Sequence, residues 1–209
     1  MHLLTRLIQG MERGGYLRSP YIRDAFLAID RADFVTPEKR HFAYEDYPLP
    51  IGYDQTISQP STVAFMLEQL QPKPGQKILD IGSGSGWSTA LLAYITGETG
   101  SVTGLERIPE LVTLGQENLA KYMMPWASIM QAGRTVGVPG AQFDRILVNA
   151  AAPSFPESLA LQLLPNGRMV IPVGDGIDVV TKNAQGHLQR QRFEGFRFVP
   201  LYMEETRRV

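Results

Sequence analysis

The sequence predicts an α/β fold: a doubly wound, mostly parallel sheet, with extra helices ahead of it and a β hairpin behind it. Three observations carry this. Between residues 77 and 173, five short apolar runs of strand character alternate with stretches of helical periodicity. A glycine-rich turn, Gly82-Ser83-Gly84-Ser85-Gly86, joins the first run directly to the next helix. Before residue 70 the apolar spacing is helical, and β-like runs return after 178. A chain of 209 residues suits one domain with a sizeable core and is short for two. We read 1–209 as a single domain in three zones: a helical lid and loop (1–70), the sheet core (71–175), and terminal strands with a tail (176–209).

The elements follow in order. Leu3, Leu4, Leu7, Ile8 and Met11 recur at helical spacing until Gly14-Gly15 interrupts them. Ser19-Pro20 reads as an N-cap with proline at the first helical position, and Ile22, Ala25, Phe26 and Ile29 form the apolar stripe that follows. Thr36-Pro37 opens another short helix. Residues 46–58 hold Pro48, Pro50 and Gly52, so they read as a loop. A helix after Pro60 carries Val63, Met66, Leu67 and Leu70 on one face. The five predicted strands are 77–81, 101–106, 127–131, 143–149 and 168–173, with helices over 87–96, 109–122 and 156–164 between them. Residues 179–181 and 196–199 flank Asn183-Ala184-Gln185-Gly186 and predict the terminal hairpin, after which 204–209 should fray.

Composition removes several kinds of function. The 20 basic and 21 acidic residues give a net charge of −1, which leaves no electrostatic footprint for nucleic acid. There is no Cys, so thiolate metal sites, disulfides and a cysteine nucleophile are absent. His2, His41 and His187 are far apart, which disfavours a metal site or a Ser-His-Asp triad. The N-terminus lacks the pattern of a signal peptide, and no apolar run approaches the ~20 residues that span a bilayer. A cytoplasmic setting without membrane attachment is the expectation. Trp87 reads as a packing residue.

The chemistry centres on the glycine turn. Without a Cβ the backbone at Gly82, Gly84 and Gly86 can approach a ligand closely, ahead of a helix N-terminus. Glu106 ends the next strand, 20 residues after Gly86, where a carboxylate suits two ribose hydroxyls. The glycines alternate, unlike the G-x-G-x-x-G of dinucleotide sites, and Asp80 stands just before them. An acid there repels a pyrophosphate and favours a ligand with a sulfonium or ammonium group. S-adenosylmethionine has both, and a ribose for Glu106. A bare strand–helix corner is the structural alternative. Ser58 directly precedes Gln59-Pro60 at a helix start, so its local reading is an N-cap.

Several stretches resemble protein-L-isoaspartate O-methyltransferases: 44–53 (YEDYPLPIGY), 55–60 (QTISQP), 78–86 (ILDIGSGSG), 143–148 (FDRILV) running into Ala150-Ala151-Ala152-Pro153, 168–174 (RMVIPVG) and 197–201 (RFVPL). The likeness spans roughly residues 12–201. It implies a Rossmann-like methyltransferase fold, S-adenosyl-L-methionine as donor and S-adenosyl-L-homocysteine as product. The implied acceptor is the free α-carboxylate of an L-isoaspartyl residue in a damaged protein or peptide, whose methyl ester begins repair through a succinimide. By the same resemblance Ser58 lies at the acceptor carboxylate as the catalytic residue. Thr56, Ile57, Ser58, Asp80, Gly82, Ser83, Gly84 and Glu106 hold the donor, with Gly133 and Arg134 beside its adenine. Val148, Asn149 and Ala150 join Ile57 and Ser58 around the acceptor. A carboxylate with a pKa near 4 is already ionised at neutral pH, so the reaction asks for no general base.

The chain also departs from that family. Members usually carry Gly-Asp-Gly after the third strand, with the Asp on the adenine amino group; here Gly133 replaces the Asp and Arg134 a Gly. One lost hydrogen bond costs ~1 kcal/mol, about fivefold in affinity. Asp54 stands where a Gly is common, Asn149 replaces a small residue, and Ser61 replaces His or Tyr. Two alternatives therefore stay open: the same donor with a small-molecule acceptor, or donor binding with weak or no catalysis.

Overall fold

The computed structural model describes residues 3–202, so the fraying expected at 204–209 lies outside the described residues. Helices α1 (Leu3–Arg13) and α2 (Pro20–Ala28) come first, then 3-10 turns at Arg31–Asp33 and Pro37–Phe42. Residues 46–58, expected as a loop, contain a small antiparallel hairpin, β1 (Leu49–Gly52) and β2 (Gln55–Ile57), before α3 (Pro60–Leu70). Its turn residues Tyr53 and Asp54 have φ of 54° and 55°, the double left-handed conformation of a two-residue hairpin turn.

The main sheet follows: β3 (Lys77–Ile81), α4 (Trp87–Thr96), β4 (Ser101–Glu106), α5 (Pro109–Ala120), β5 (Ala127–Gln131), β6 (Phe143–Val148), α6 (Glu157–Ala160), β7 (Leu163–Val173), β8 (Gly176–Lys182) and β9 (Leu188–Glu194). The seven strands lie in the order β5-β4-β3-β6-β7-β8-β9. The first five run parallel, and β8 pairs antiparallel with both β7 and β9. Strand order therefore reverses between β3 and β6. Ligands of open α/β sheets bind in the crevice at such a switch point, beyond the carboxyl ends of the strands.

The terminal hairpin turns where the sequence predicts, since Asn183 N–H bonds the His187 carbonyl at 2.9 Å. Its second strand is β9, not 196–199. β9 is an edge strand with almost every residue exposed, so it carries no alternating apolar signal. The expected helix over 156–164 is cut to four residues, because β7 already begins at Leu163.

The two faces of the sheet are covered unequally. Along β3, Ile78 packs on the side of α1 to α5, while Leu79 and Ile81 face the other side. That other side is closed by α6 and by loop residues such as Val136 and Val138. Among the described residues no helix is long and apolar enough to cross a membrane.

Candidate active site

The crevice at the switch point is floored by the glycine turn. Gly82 (φ 76°), Gly84 (φ 53°) and Gly86 (φ 97°) all adopt left-handed backbone, which explains three glycines in five residues. Four of the turn's five N–H groups are bonded within the protein, mostly to the end of β4. The N–H groups of Gly82 and Ser83 both donate to the Leu105 carbonyl, at 2.8 and 3.1 Å, and that of Gly86 donates to Ser83, at 2.8 Å. Gly84 N–H donates to Glu106 Oε2 at 2.9 Å. A pyrophosphate needs those donors free. Here four of them are spent, one on a carboxylate, and that arrangement disfavours a dinucleotide.

Glu106 is 7 % exposed and lines the cavity above the turn. Its Oε1 accepts from the N–H groups of Arg107 and Ile108, at 2.7 and 2.9 Å. The carboxylate thus latches the end of β4 to the glycine turn. Oε2 carries one protein bond and retains acceptor capacity for a ligand hydroxyl.

Asp80 sits differently from the sequence expectation. It is completely buried beneath the cavity wall, not in it. Ser88 Oγ and Thr89 Oγ1 donate to its Oδ2 at 2.7 and 2.6 Å, and Asn149 Nδ2 donates to Oδ1 at 2.7 Å. Burial pushes its carboxyl up to about 6, against the pull of those three hydrogen bonds and with a smaller push from Glu106. It remains ionised at neutral pH and adds negative potential under the cavity floor. Asn149 is thereby tied to Asp80 while still lining the cavity. Val148 is fully buried behind the wall, so of the acceptor residues expected at 148–150 only Asn149 and Ala150 reach the cavity.

The hairpin forms the opposite wall, with Thr56, Ile57 and Ser58 facing the glycines. A Cβ built on Gly84 would lie 3.2 Å from Ile51 Cδ1, so the hairpin closes tightly over the turn. Ser58 is not the N-cap of α3. That position is Gln59, which makes no side-chain cap, and the helix start is held by Asp46, which accepts from Ser61 N–H and Oγ at 2.8 and 2.6 Å. Ser61 is thereby held by Asp46 at the helix start. The Ser58 hydroxyl makes no hydrogen bond among the described residues.

A second cavity adjoins the first. The two share Thr56, Ser58, Asn149 and Val199 in their walls, so Ser58 stands at the junction. Tyr16, Phe196 and Phe198 give the outer cavity an aromatic rim. Gly133 and Arg134 line the inner cavity, near its Glu106 end. A Cβ at Gly133 would meet nothing within 4 Å.

Three features go beyond what the sequence predicts. The segment 199–202 walls the inner cavity, held by Ala151 N–H to Val199 and Leu201 N–H to Ala151, both at 2.8 Å. Its Tyr202 ring lies 4.3 Å under the Arg107 guanidinium. Trp87, expected as a packing residue, packs edge-on against Phe26 and also reaches the cavity. Arg31 is buried under the hairpin, and nothing in its local sequence marks it; burial lowers its pKa to about 10, which leaves it charged. For the first of these the family-like stretch RFVPL was the one available signal.

The residues present fit an S-adenosyl nucleoside: a glycine floor with four of its N–H groups already bonded within the protein, a carboxylate free to meet a ligand hydroxyl, and buried negative charge for a cationic methionine end. Comparison with known proteins agrees with that geometry. A protein-L-isoaspartate O-methyltransferase of Methanopyrus kandleri is 44 % identical over 206 residues, covering 96 % of this chain and 91 % of that protein. One from Anaeromyxobacter dehalogenans is 42 % identical over 192 residues, covering 88 % and 90 %. A crystal structure from Plasmodium falciparum, described as a protein-L-isoaspartate O-methyltransferase and holding S-adenosyl-L-homocysteine, superposes with a TM-score of 0.83 at 27 % identity, covering 94 % of this chain and 97 % of that one. The model of the family itself matches residues 3–206. Fold, cavity and sequence thus converge, and the chain belongs to the protein-L-isoaspartate(D-aspartate) O-methyltransferase family.

Proposed function

We propose that this chain transfers the methyl group of S-adenosylmethionine to the free α-carboxylate of L-isoaspartyl residues in proteins or peptides, the first step of their repair. The observation that carries this is the junction: an inner cavity fitted to the donor and an outer one open to a peptide meet at the unpartnered hydroxyl of Ser58. The acceptors are isoaspartyl-containing chains, and the proposal keeps the cytoplasmic setting expected from the sequence.

Bound S-adenosylmethionine supplies an electrophilic methyl carbon on a sulfonium. Glu106 would hold the ribose, the turn 82–86 the methionine end, and Gly133 and Arg134 the adenine edge. Ser58 Oγ–H donates to one acceptor carboxylate oxygen and leaves the other aimed across the junction. No proton has to be removed, because the carboxylate is ionised at neutral pH. Consistently, neither cavity wall contains a His among the described residues. Catalysis is then mainly positioning, which can supply several kcal/mol when reacting atoms are held in line. The hairpin excludes water, so charges that cancel as the methyl moves are not stabilised beforehand by solvent.

The test is a matched pair of peptides, one with L-isoaspartate and one with L-aspartate, assayed for base-labile methyl ester. Ester on the first alone supports the reading; ester on neither, with donor bound, sinks it. Ser58→Ala should lower kcat by about 10- to 100-fold, the range for one lost positioning bond, with S-adenosylhomocysteine affinity nearly unchanged. Full activity in that variant removes Ser58 from the mechanism.

A further inference from the structure

The hairpin that carries Ser58 is short, and its two strands share few backbone bonds. Something else must fix where it sits. Arg31 is 1 % exposed and lies at the base of the hairpin. Its Nη1 donates to the carbonyls of Ala43 and Glu45, at 3.0 and 3.2 Å. Its Nη2 donates to Tyr47 and Ser58, both at 3.0 Å, and reaches Ile57 at 3.5 Å. The first three carbonyls belong to the chain entering the hairpin and the last two to the chain leaving it. No carboxylate forms an ion pair with Arg31 among the described residues; its charge meets carbonyl dipoles, the Trp87 ring 5.4 Å away, and the longer-range attraction of the Asp46 carboxylate.

We infer that Arg31 is a positioning residue for methyl transfer: its guanidinium clamps the entry and exit of the hairpin, and so sets where the Ser58 hydroxyl stands at the junction of the two cavities. The bond to the Ser58 carbonyl reaches the catalytic residue's own backbone. Only a planar fork spans these acceptors, since four N–H bonds diverge from its two terminal nitrogens while Nε makes no hydrogen bond among the described residues. An ammonium radiates three bonds from one atom and cannot reach carbonyls on both sides of the hairpin in the same way. Arg31 touches neither donor nor acceptor in this arrangement, for it lines neither cavity. Its influence therefore passes through the hairpin. The inference rests on the proposed role of Ser58.

A double-mutant cycle with Arg31→Lys and Ser58→Ala tests it, using an isoaspartyl peptide at saturating donor. Arg31→Lys should lower kcat by about 30-fold in the otherwise native chain and by less than about threefold in the Ser58→Ala background, because the group being placed is then gone. Equal losses in both backgrounds overturn the inference, since a merely structural role is additive. A native rate in Arg31→Lys overturns it as well. So does failure of Arg31→Lys to fold with saturating S-adenosylhomocysteine, because a role confined to the hairpin leaves the sheet intact. If Ser58→Ala alone keeps the native rate, the proposed site has failed rather than the clamp. Limited proteolysis gives an independent readout: faster cleavage within 43–58 in the Arg31→Lys variant than in the native chain supports the clamp, and equal cleavage counts against it.

Discussion

Replacing Glu106 with Gln separates its two jobs. In the native chain Oε2 accepts from Gly84 N–H at 2.9 Å, and Oε1 accepts from Arg107 and Ile108 N–H at 2.7 and 2.9 Å. A glutamine keeps one acceptor oxygen. If it serves Arg107 and Ile108, its NH2 confronts the N–H of Gly84. The loss is then one charge-assisted bond and a stranded donor, with two remaining bonds reduced to neutral strength. At ~1.5–3 kcal/mol for a bond to a charged group and ~1 for a neutral one, the ligand-free chain should lose ~2–4 kcal/mol. For a chain of this size that lowers Tm by about 5–15 °C. Donor affinity should fall further if Oε2 also holds the ribose as proposed; another ~1.5–3 kcal/mol is about 10- to 150-fold in Kd. Thermal unfolding without ligand and calorimetric titration with S-adenosylhomocysteine read the two losses separately. A native Tm with weakened binding would refute the latch, a native Kd with lowered Tm would refute the ribose contact, and native values of both would refute the whole account of Glu106.

The other predictions concern separate parts of the fold. Asp80 titrates near 6 when folded and near 3.8 unfolded, so the folded chain holds the extra proton between them. Its stability contribution is therefore full below pH 3.8 and lost as pH rises through 6, about 3 kcal/mol in all. Urea unfolding at pH 4 and 7.5 should show Asp80→Asn gaining on the native chain by about that much, and a constant gap would contradict the buried carboxylate. Tyr53→Asn relieves a left-handed aromatic at an exposed turn and should stabilise by up to ~1 kcal/mol, a rise in Tm of about 2–4 °C. Gly133→Asp finds open space for its side chain and should tighten S-adenosylhomocysteine binding about fivefold, the worth of one regained adenine bond. No change in Kd would mean that Arg134 or a neighbour already fills that role.

What the sequence made legible was what local periodicity encodes. The central parallel strands β3, β4 and β6 are largely buried and read as apolar runs, and Gly82, Gly84 and Gly86 advertise their left-handed backbone by identity alone. The position of Glu106 followed from spacing. Other features depend on contacts that no local pattern records. β9 is polar because it is an edge strand, so its sequence looks like a loop. The hairpin places Tyr53 in a conformation its side chain disfavours, and its strands contain a proline and only seven residues between them. Ser58 before Gln59-Pro60 has the local look of a cap, yet the cap comes from Asp46, 15 residues from Ser61. Arg31 bonds carbonyls 12 to 27 residues away. The tether of 199–202 to Ala151 is likewise a long-range contact.

Asp80 shows why proximity in sequence misleads. It precedes the glycines by two residues, which suggests a ligand contact. The alternation of β3 decides otherwise: Ile78 and Asp80 point to one face, Leu79 and Ile81 to the other. The face Asp80 takes is covered by α4, so its oxygens meet Ser88 and Thr89 on that helix's first turn instead of the cavity. An anion at a helix N-terminus is itself stabilised, which helps keep a fully buried carboxylate ionised. The charge is thus held one layer beneath the floor, where it can attract a cationic ligand without being displaced by one. Glu106, at the end of the neighbouring strand, meets the cavity directly because β4 ends there. Two acids of similar placement in sequence are sorted by pleat and strand length into a field source and a contact.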